Sequence, residues 1–138
     1  MGLDIGTSGC RAILFAEDGT LLVGAGREYP VEIPRPMWAE QDAEAVWQHA
    51  QAAMHEAIAT AGVDRIAAIG LSAQGEAVIP VDAQGNALRL AILGMDTRTD
   101  EQNRWLAATF GAEYLFERTG MPFHPIKTLP KWLWFKQY

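Results

Sequence analysis

The 138-residue sequence contains one cysteine, Cys10, so no internal disulfide framework can staple it. A lone thiol suits a reducing compartment, and a cytoplasmic location is the expectation. Positive charge is also scarce: 11 lysines and arginines face 17 acidic residues, for a net charge of -6. Proteins that coat a phosphodiester backbone have the opposite balance, so nucleic acid is not an expected partner. Long apolar runs are missing. Uncharged stretches such as Ile66 to Gln74 are far too short to cross a bilayer, and the opening residues lack the basic and apolar regions of a secretion signal. The three histidines, His49, His55 and His124, show no metal-ligand spacing, since His49 and His55 lie six apart and do not stack on one helical face. With 49% apolar residues and no low-complexity tract, the chain can form one respectable core.

Periodicity and turn residues predict a mixed α/β architecture. Gly2 to Asp4 reads as a short strand, and Asp18-Gly19 marks a turn between Ala12–Ala16 and Leu21–Val23, so residues 11 to 28 form a hairpin. YPVEIPRPMW, with three prolines, predicts an extended, irregular connection. Asp42 is the expected N-cap of a helix whose stripe runs through Val46, Ala50, Ala53, Met54, Ala57 and Ile58 to a stop at Gly62. Ile66 to Leu71 has the continuous apolar character of an interior strand covered on both faces. Further strand-like runs follow at Ala77–Val81 and Leu88–Leu93, around a turn at Asp82–Asn86. Helices are expected over roughly Thr99–Thr109, Glu113–Thr119 and Leu129–Gln137. Because the first loop feeds a second strand rather than a helix, a doubly wound dinucleotide-binding domain fits worse.

Three polar interruptions carry the chemistry. In the first, DIGTSGCR, the turn Gly6-Thr7-Ser8-Gly9 offers backbone N–H groups and two hydroxyls that can cradle phosphate oxygens, with Arg11 adding a forked cation. Asp4 at the strand end can hold a hydrated divalent cation, or it can simply cap the turn. No GxxxxGK[ST] is present, and the aspartic-protease likeness of Asp-Xaa-Gly-Thr has no matching second loop. In the second, SAQGEA, Gln74 and Glu76 suit a polyhydroxylated ligand, or form a surface turn. In the third, GMDTR, Asp96 and Arg98 offer an acceptor and a fork, or cap the following helix. Trp38, in the irregular segment, can pack over a cleft or staple the helix start. His124 can reach a ligand or bond to backbone. Trp47, Trp105, Trp132 and Trp134 read as core or partner-facing, and Lys127 and Lys131 as surface charges.

Taken in order, DIGTSGCR, PMWAEQD, LSAQGE, AILGMDTR and RTGMPFHPIKTLPKWLW resemble the amino-terminal lobe of the FGGY family of carbohydrate kinases, across essentially the whole chain. The resemblance implies a ribonuclease-H-like, actin-like fold: a mixed β-sheet with a hairpin, flanked by helices. It also implies ATP-dependent phosphorylation of a sugar, polyol or sugar acid, with ATP and Mg2+ as cofactors. Asp4 then lies near Mg2+, and Gly6, Thr7, Ser8 and Arg11 lie near the transferred phosphoryl group. Gln74, Glu76, Asp96, Arg98, Trp38 and His124 match substrate-side positions. Family members are far longer, which implies that residues 1–138 are a fragment. Their general-base aspartate and most of the ATP site lie in a carboxy-terminal lobe, which would be this chain's partner, and a homo-oligomer is possible. The chain departs from the family in carrying Gly75 where glycerol kinases have an arginine and Gly75-Glu76 where xylulose kinases have a methionine-histidine pair. It also has Gly94 where many members have a tryptophan, whereas its His124-Pro125 looks like gluconate kinases. A non-catalytic sugar-binding or protein-interaction module is the alternative from a different functional class.

Overall fold

The Asp18-Gly19 signal makes the turn it predicts. Gly19 takes φ 88°, the left-handed region that suits glycine, and Asp18 accepts a 2.9 Å hydrogen bond from the Thr20 amide. In the computed structural model, which describes residues 1–138, this turn joins strands β2 (Gly9–Phe15) and β3 (Leu21–Glu28). They belong to the first of two units, Met1–Val31 with Asp42–Gln74; the second is Glu32–Gln41 with Gly75–Tyr138.

The first unit is a four-stranded sheet in the order β3-β2-β1-β5, where β1 is Gly2–Ile5 and β5 is Gly70–Ala73. β1 runs antiparallel to β2 and parallel to β5. Period-2 alternation sends Leu3, Cys10, Ala12 and Leu14 into the core, while Asp4 and Arg11 point the other way. Helix α1 (Ala43–Ala61) covers the core side with Ala50, Ala53 and Ala57, all completely buried. Methyl-sized side chains let helix and sheet lie close, so a larger residue there would overpack by about 1–3 kcal/mol. The predicted caps are in place: Asp42 accepts from the Glu44 and Ala45 amides, and Gly62 closes the helix in the left-handed conformation.

The interior strand expected at Ile66–Leu71 is corrected. β5 begins only at Gly70, all four of its residues are exposed, and Leu71 is 66% exposed. The ladder with β1 runs from Gly2↔Gly70 to Ile5↔Ala73, and just ahead of it the Met1 ammonium donates to the Ala68 carbonyl while the Met1 carbonyl accepts from the Gly70 amide. Within residues 1–138, β1 is the strand that pairs with β5.

In the second unit, β4 (Glu40–Gln41) pairs antiparallel with β6 (Ala91–Ile92). Of the strand-like runs 77–81 and 88–93, only β6 forms a ladder. Val78 and Val81 make isolated bridges to Ile92 and Ala87. Helices α2 (Asp100–Phe110), α3 (Ala112–Thr119) and α4 (Thr128–Gln137) lie within two residues of the predicted bounds. Among the tryptophans, Trp134 is core at 8% exposure, whereas Trp47, Trp105 and Trp132 are about half exposed. No helix is long and apolar enough to cross a membrane.

Candidate functional site

Each unit carries one polar cluster. In the first, the β1–β2 turn closes through Gly6 N–H to the Gly9 carbonyl at 2.9 Å. The Gly6 carbonyl accepts from Tyr29 Oη at 2.9 Å and from Gln74 Nε2 at 3.1 Å. Thr7 Oγ1 donates to Gln74 Oε1 at 3.4 Å, and the Tyr29 amide donates to the Ser8 carbonyl. Gln74 therefore serves the turn itself. Asp4 and Arg11 are cross-strand partners on the exposed face, and neither joins an ion pair.

Asp4, Gly6, Ser8, Arg11, Gly26 and Tyr29 help line an open cavity of about 980 Å3. Two glycines allow this shape. A Cβ on Gly9 would stand 2.6 Å from the Arg27 carbonyl, and one on Gly26 would stand 3.2 Å from the Cys10 carbonyl. Burial, with the Cys10 and Asp4 charges adding to it, pushes the Tyr29 hydroxyl up to about 12. The phenol therefore stays neutral and keeps donating to the turn.

The second cluster is built around three buried or half-buried carboxylates, Asp96, Glu40 and Glu76. Asp96 is fully buried beside Arg98, whose side chain is 1% exposed. Asp96 Oδ2 accepts from Arg98 Nη2 at 2.6 Å and from the Ala39 amide at 2.7 Å, while Oδ1 accepts from the Arg98 amide. Arg98 Nη1 donates to Glu40 Oε1 at 2.7 Å. Trp38 lies 3.6 Å from the guanidinium carbon and meets Trp134 edge-on, so Arg98 is held between two indoles. This geometry answers what the Asp-Thr-Arg stretch does locally. It caps no helix: the N-cap of α2 is Thr99, whose side chain makes no capping bond. Asp96 and Arg98 instead tie residues 37–40 to the loop after β6. Within that tie Met37 adopts φ 69°, and its carbonyl accepts from the Thr97 amide.

Glu76 is more open. Its Oε2 accepts from Thr128 Oγ1 at 2.7 Å and its Oε1 from Lys127 Nζ at 3.4 Å. Desolvation raises its pKa, but those two hydrogen bonds and the Lys127 and Lys131 charges outweigh it, holding the carboxyl below 4.5. Glu76 also borders a smaller cavity of about 200 Å3 whose walls are largely apolar, including Leu106, Leu115 and Phe123. His124 lines the same cavity, with its Nδ1 accepting from the Ile126 amide at 3.2 Å.

Two groups were missed in the sequence. Tyr29, which falls in the expected irregular connection, holds the β1–β2 turn through its hydroxyl and its amide. Lys131, expected on the surface, is completely buried: its Nζ donates to the Glu76 carbonyl at 2.6 Å and to the Leu93 carbonyl at 2.9 Å. The signal was present, since Lys131 lies three residues before Trp134 and so shares its face of the helix. Lys127 is half-buried and bonded to Glu76, so it too departs from a plain surface charge.

Comparison with known proteins places this chain among relatives. It matches the FGGY family of carbohydrate kinases, N-terminal domain, over residues 1–138. It is 39% identical over 124 residues to the glycerol kinase of Acaryochloris marina (strain MBIC 11017), covering 88% of this chain and 25% of that protein. It is 33% identical to the xylulose kinase of Escherichia coli (strain K12), covering 100% of this chain and 28% of that protein. The crystal structure of xylulose kinase from Rhodospirillum rubrum superposes with a TM-score of 0.94 at 32% identity, covering 99% of this chain and 28% of that one. The chain thus spans about a quarter of the length of the relatives it matches.

Proposed function

This chain belongs to the FGGY family of carbohydrate kinases, with the ribonuclease-H-like α/β fold of that family, and on that premise we propose that it is the amino-terminal part of an ATP-dependent kinase for a sugar, polyol or sugar acid. The observation that carries the reading is the cavity around the β1–β2 turn, where an unpaired carboxylate and an unpaired guanidinium stand beside a turn shaped by glycines. Phosphoryl transfer is catalysed mainly by positioning and by charge placed where the equatorial oxygens develop it. Ser8 and Thr7 offer hydroxyls, Gly6 keeps the backbone close, and Arg11 can swing its fork over the open face.

The donor set fits a hydrated magnesium ion. Mg2+ keeps several waters and takes one or two carboxylates plus phosphate oxygens, and Asp4 is a single exposed carboxylate with no cluster of other protein ligands around it. When bound, the ion would supply Lewis-acid neutralisation of phosphate charge, with Asp4 as its anchor in this chain.

Glu76 is the residue best suited to read acceptor hydroxyls. Its depressed pKa keeps it ionised as an acceptor of hydrogen bonds, and for the same reason makes it a poor proton abstractor near neutral pH. Asp96 is held by Arg98 and the Ala39 amide, so with Arg98 and Trp38 it shapes the wall rather than taking a proton. Gln74 steadies the phosphate turn, and His124 borders the acceptor region. We therefore assign the general base to a residue outside 1–138. The test is ADP release by the intact protein with ATP, Mg2+ and a panel of polyols, ketoses and sugar acids. Acceptor-dependent release is expected for at least one class, and none at all would refute the kinase reading. Turnover by the 138-residue chain alone would refute the placement of the base.

A further inference from the structure

Lys131 is a costly residue to bury. Its ammonium is fully enclosed on α4, and no carboxylate lies within ion-pair distance of it. An apolar side chain of similar length would avoid the desolvation, and such replacements of buried charges are often neutral or stabilising. What a methionine could not supply is the pair of hydrogen bonds to the Glu76 and Leu93 carbonyls. Those carbonyls belong to the two segments that carry the acceptor-side residues. Leu93 O also accepts from the Asp96 amide, so the ammonium reaches the Asp96 turn through one shared atom.

The start of α4 holds Glu76 at three points. Thr128 donates to one carboxylate oxygen, Lys127 to the other, and Lys131 to the main-chain carbonyl. The first two bonds set the carboxylate's reach. The third fixes the backbone from which the side chain springs, in a place solvent cannot reach. The two segments already pass close, since a Cβ on Gly94 would make an ordinary 3.5 Å contact with Glu76 Cβ. The electrostatics agree: burial lowers the Lys131 pKa, while the Glu76 and Asp96 charges oppose that shift.

We propose that Lys131 is a positioning residue for the acceptor: by binding the Glu76 and Leu93 carbonyls from below, it aims the Glu76 carboxylate and sets affinity for the alcohol substrate without touching it. The proposal rests on the kinase reading above. The test is steady-state kinetics of the intact protein carrying Lys131→Met, with the best acceptor from the panel. KM for the acceptor should rise by about tenfold or more, while KM for ATP and kcat stay within about twofold. A purely structural lysine would instead lower kcat through a smaller folded fraction and leave the acceptor KM unchanged, and that result overturns the proposal. If Lys131→Met does not fold, Lys131→Arg carries the same test. It keeps the buried charge but replaces the compact ammonium with a bulkier planar fork that shifts both carbonyls, so the same selective rise is expected. An intact wild type inactive on every acceptor overturns the kinase reading and this inference with it; an active wild type whose variants keep the acceptor KM overturns this inference alone.

Discussion

Replacing Asp96 by asparagine tests how much of the second unit depends on one buried charge. The change keeps the side chain's size and removes its negative charge. Both oxygens face donors: Oδ2 receives Arg98 Nη2 and the Ala39 amide, and Oδ1 receives the Arg98 amide and Nε. Whichever way the new amide turns, its NH2 meets N–H groups. At least two hydrogen bonds are lost, and Arg98, with a side chain 1% exposed, keeps only Glu40 as a counter-charge. Breaking a buried pair by removing one partner costs about 3–5 kcal/mol. The surviving Glu40 contact places Asp96→Asn at the lower end, about 3 kcal/mol, and roughly 10 °C in Tm for a domain of this size.

The assay is urea unfolding followed by near-ultraviolet circular dichroism, which reports the Trp38–Trp134 packing around Arg98. Because the pair is buried, the loss should persist in about 0.5 M salt, where the Debye length falls to about 4 Å and exposed pairs are largely screened. Adding Arg98→Met should recover part of it, since the double variant removes both charges of the pair and leaves Glu40 with Arg89 at 3.4 Å. A loss below about 1 kcal/mol, or one that disappears in salt, would show that solvent reaches the pair and would refute the reasoning.

Two further outcomes follow from the first unit. Gly9→Ala should destabilise by about 1–3 kcal/mol, because its Cβ would meet the Arg27 carbonyl at 2.6 Å, whereas Gly70→Ala, with open space around it, should cost nothing measurable by the same melts. Tyr29→Phe should cost about 0.5–1 kcal/mol, since Gln74 still donates to the Gly6 carbonyl. Tyr29 should also weaken the fold in alkali. Its folded pKa of about 12 lies above the ordinary 10, so its contribution is complete below pH 10 and is lost as pH rises towards 12. An alkaline stability profile identical in wild type and Tyr29→Phe would contradict this assignment.

Local chemistry was legible where a residue acts on its own backbone. The Asp18-Gly19 turn, the Asp42 cap and the Gly62 stop each use atoms within a few residues, so the sequence alone names them. The alanine stripe of α1 likewise announced a helix that lies close to a sheet. Strand environment was less legible. Ile66–Leu71 has the composition of an interior strand, but whether a strand is covered depends on neighbours that composition does not name. The Asp96–Arg98 stretch was recognised as chemically loaded, yet its partners Ala39 and Glu40 lie more than fifty residues away in the chain.

By itself the sequence determined the hairpin, the helices with their caps and the ordered set of motifs that marks the family, because these depend on short-range periodicity and turn conformation. Only the tertiary structure decided that Lys131 is buried, that Tyr29 holds the first turn and that Gln74 and Glu76 serve different clusters. A lysine three residues before a tryptophan on a helix can face water or the core. Which it faces is set by the carbonyls that distant segments bring to meet it.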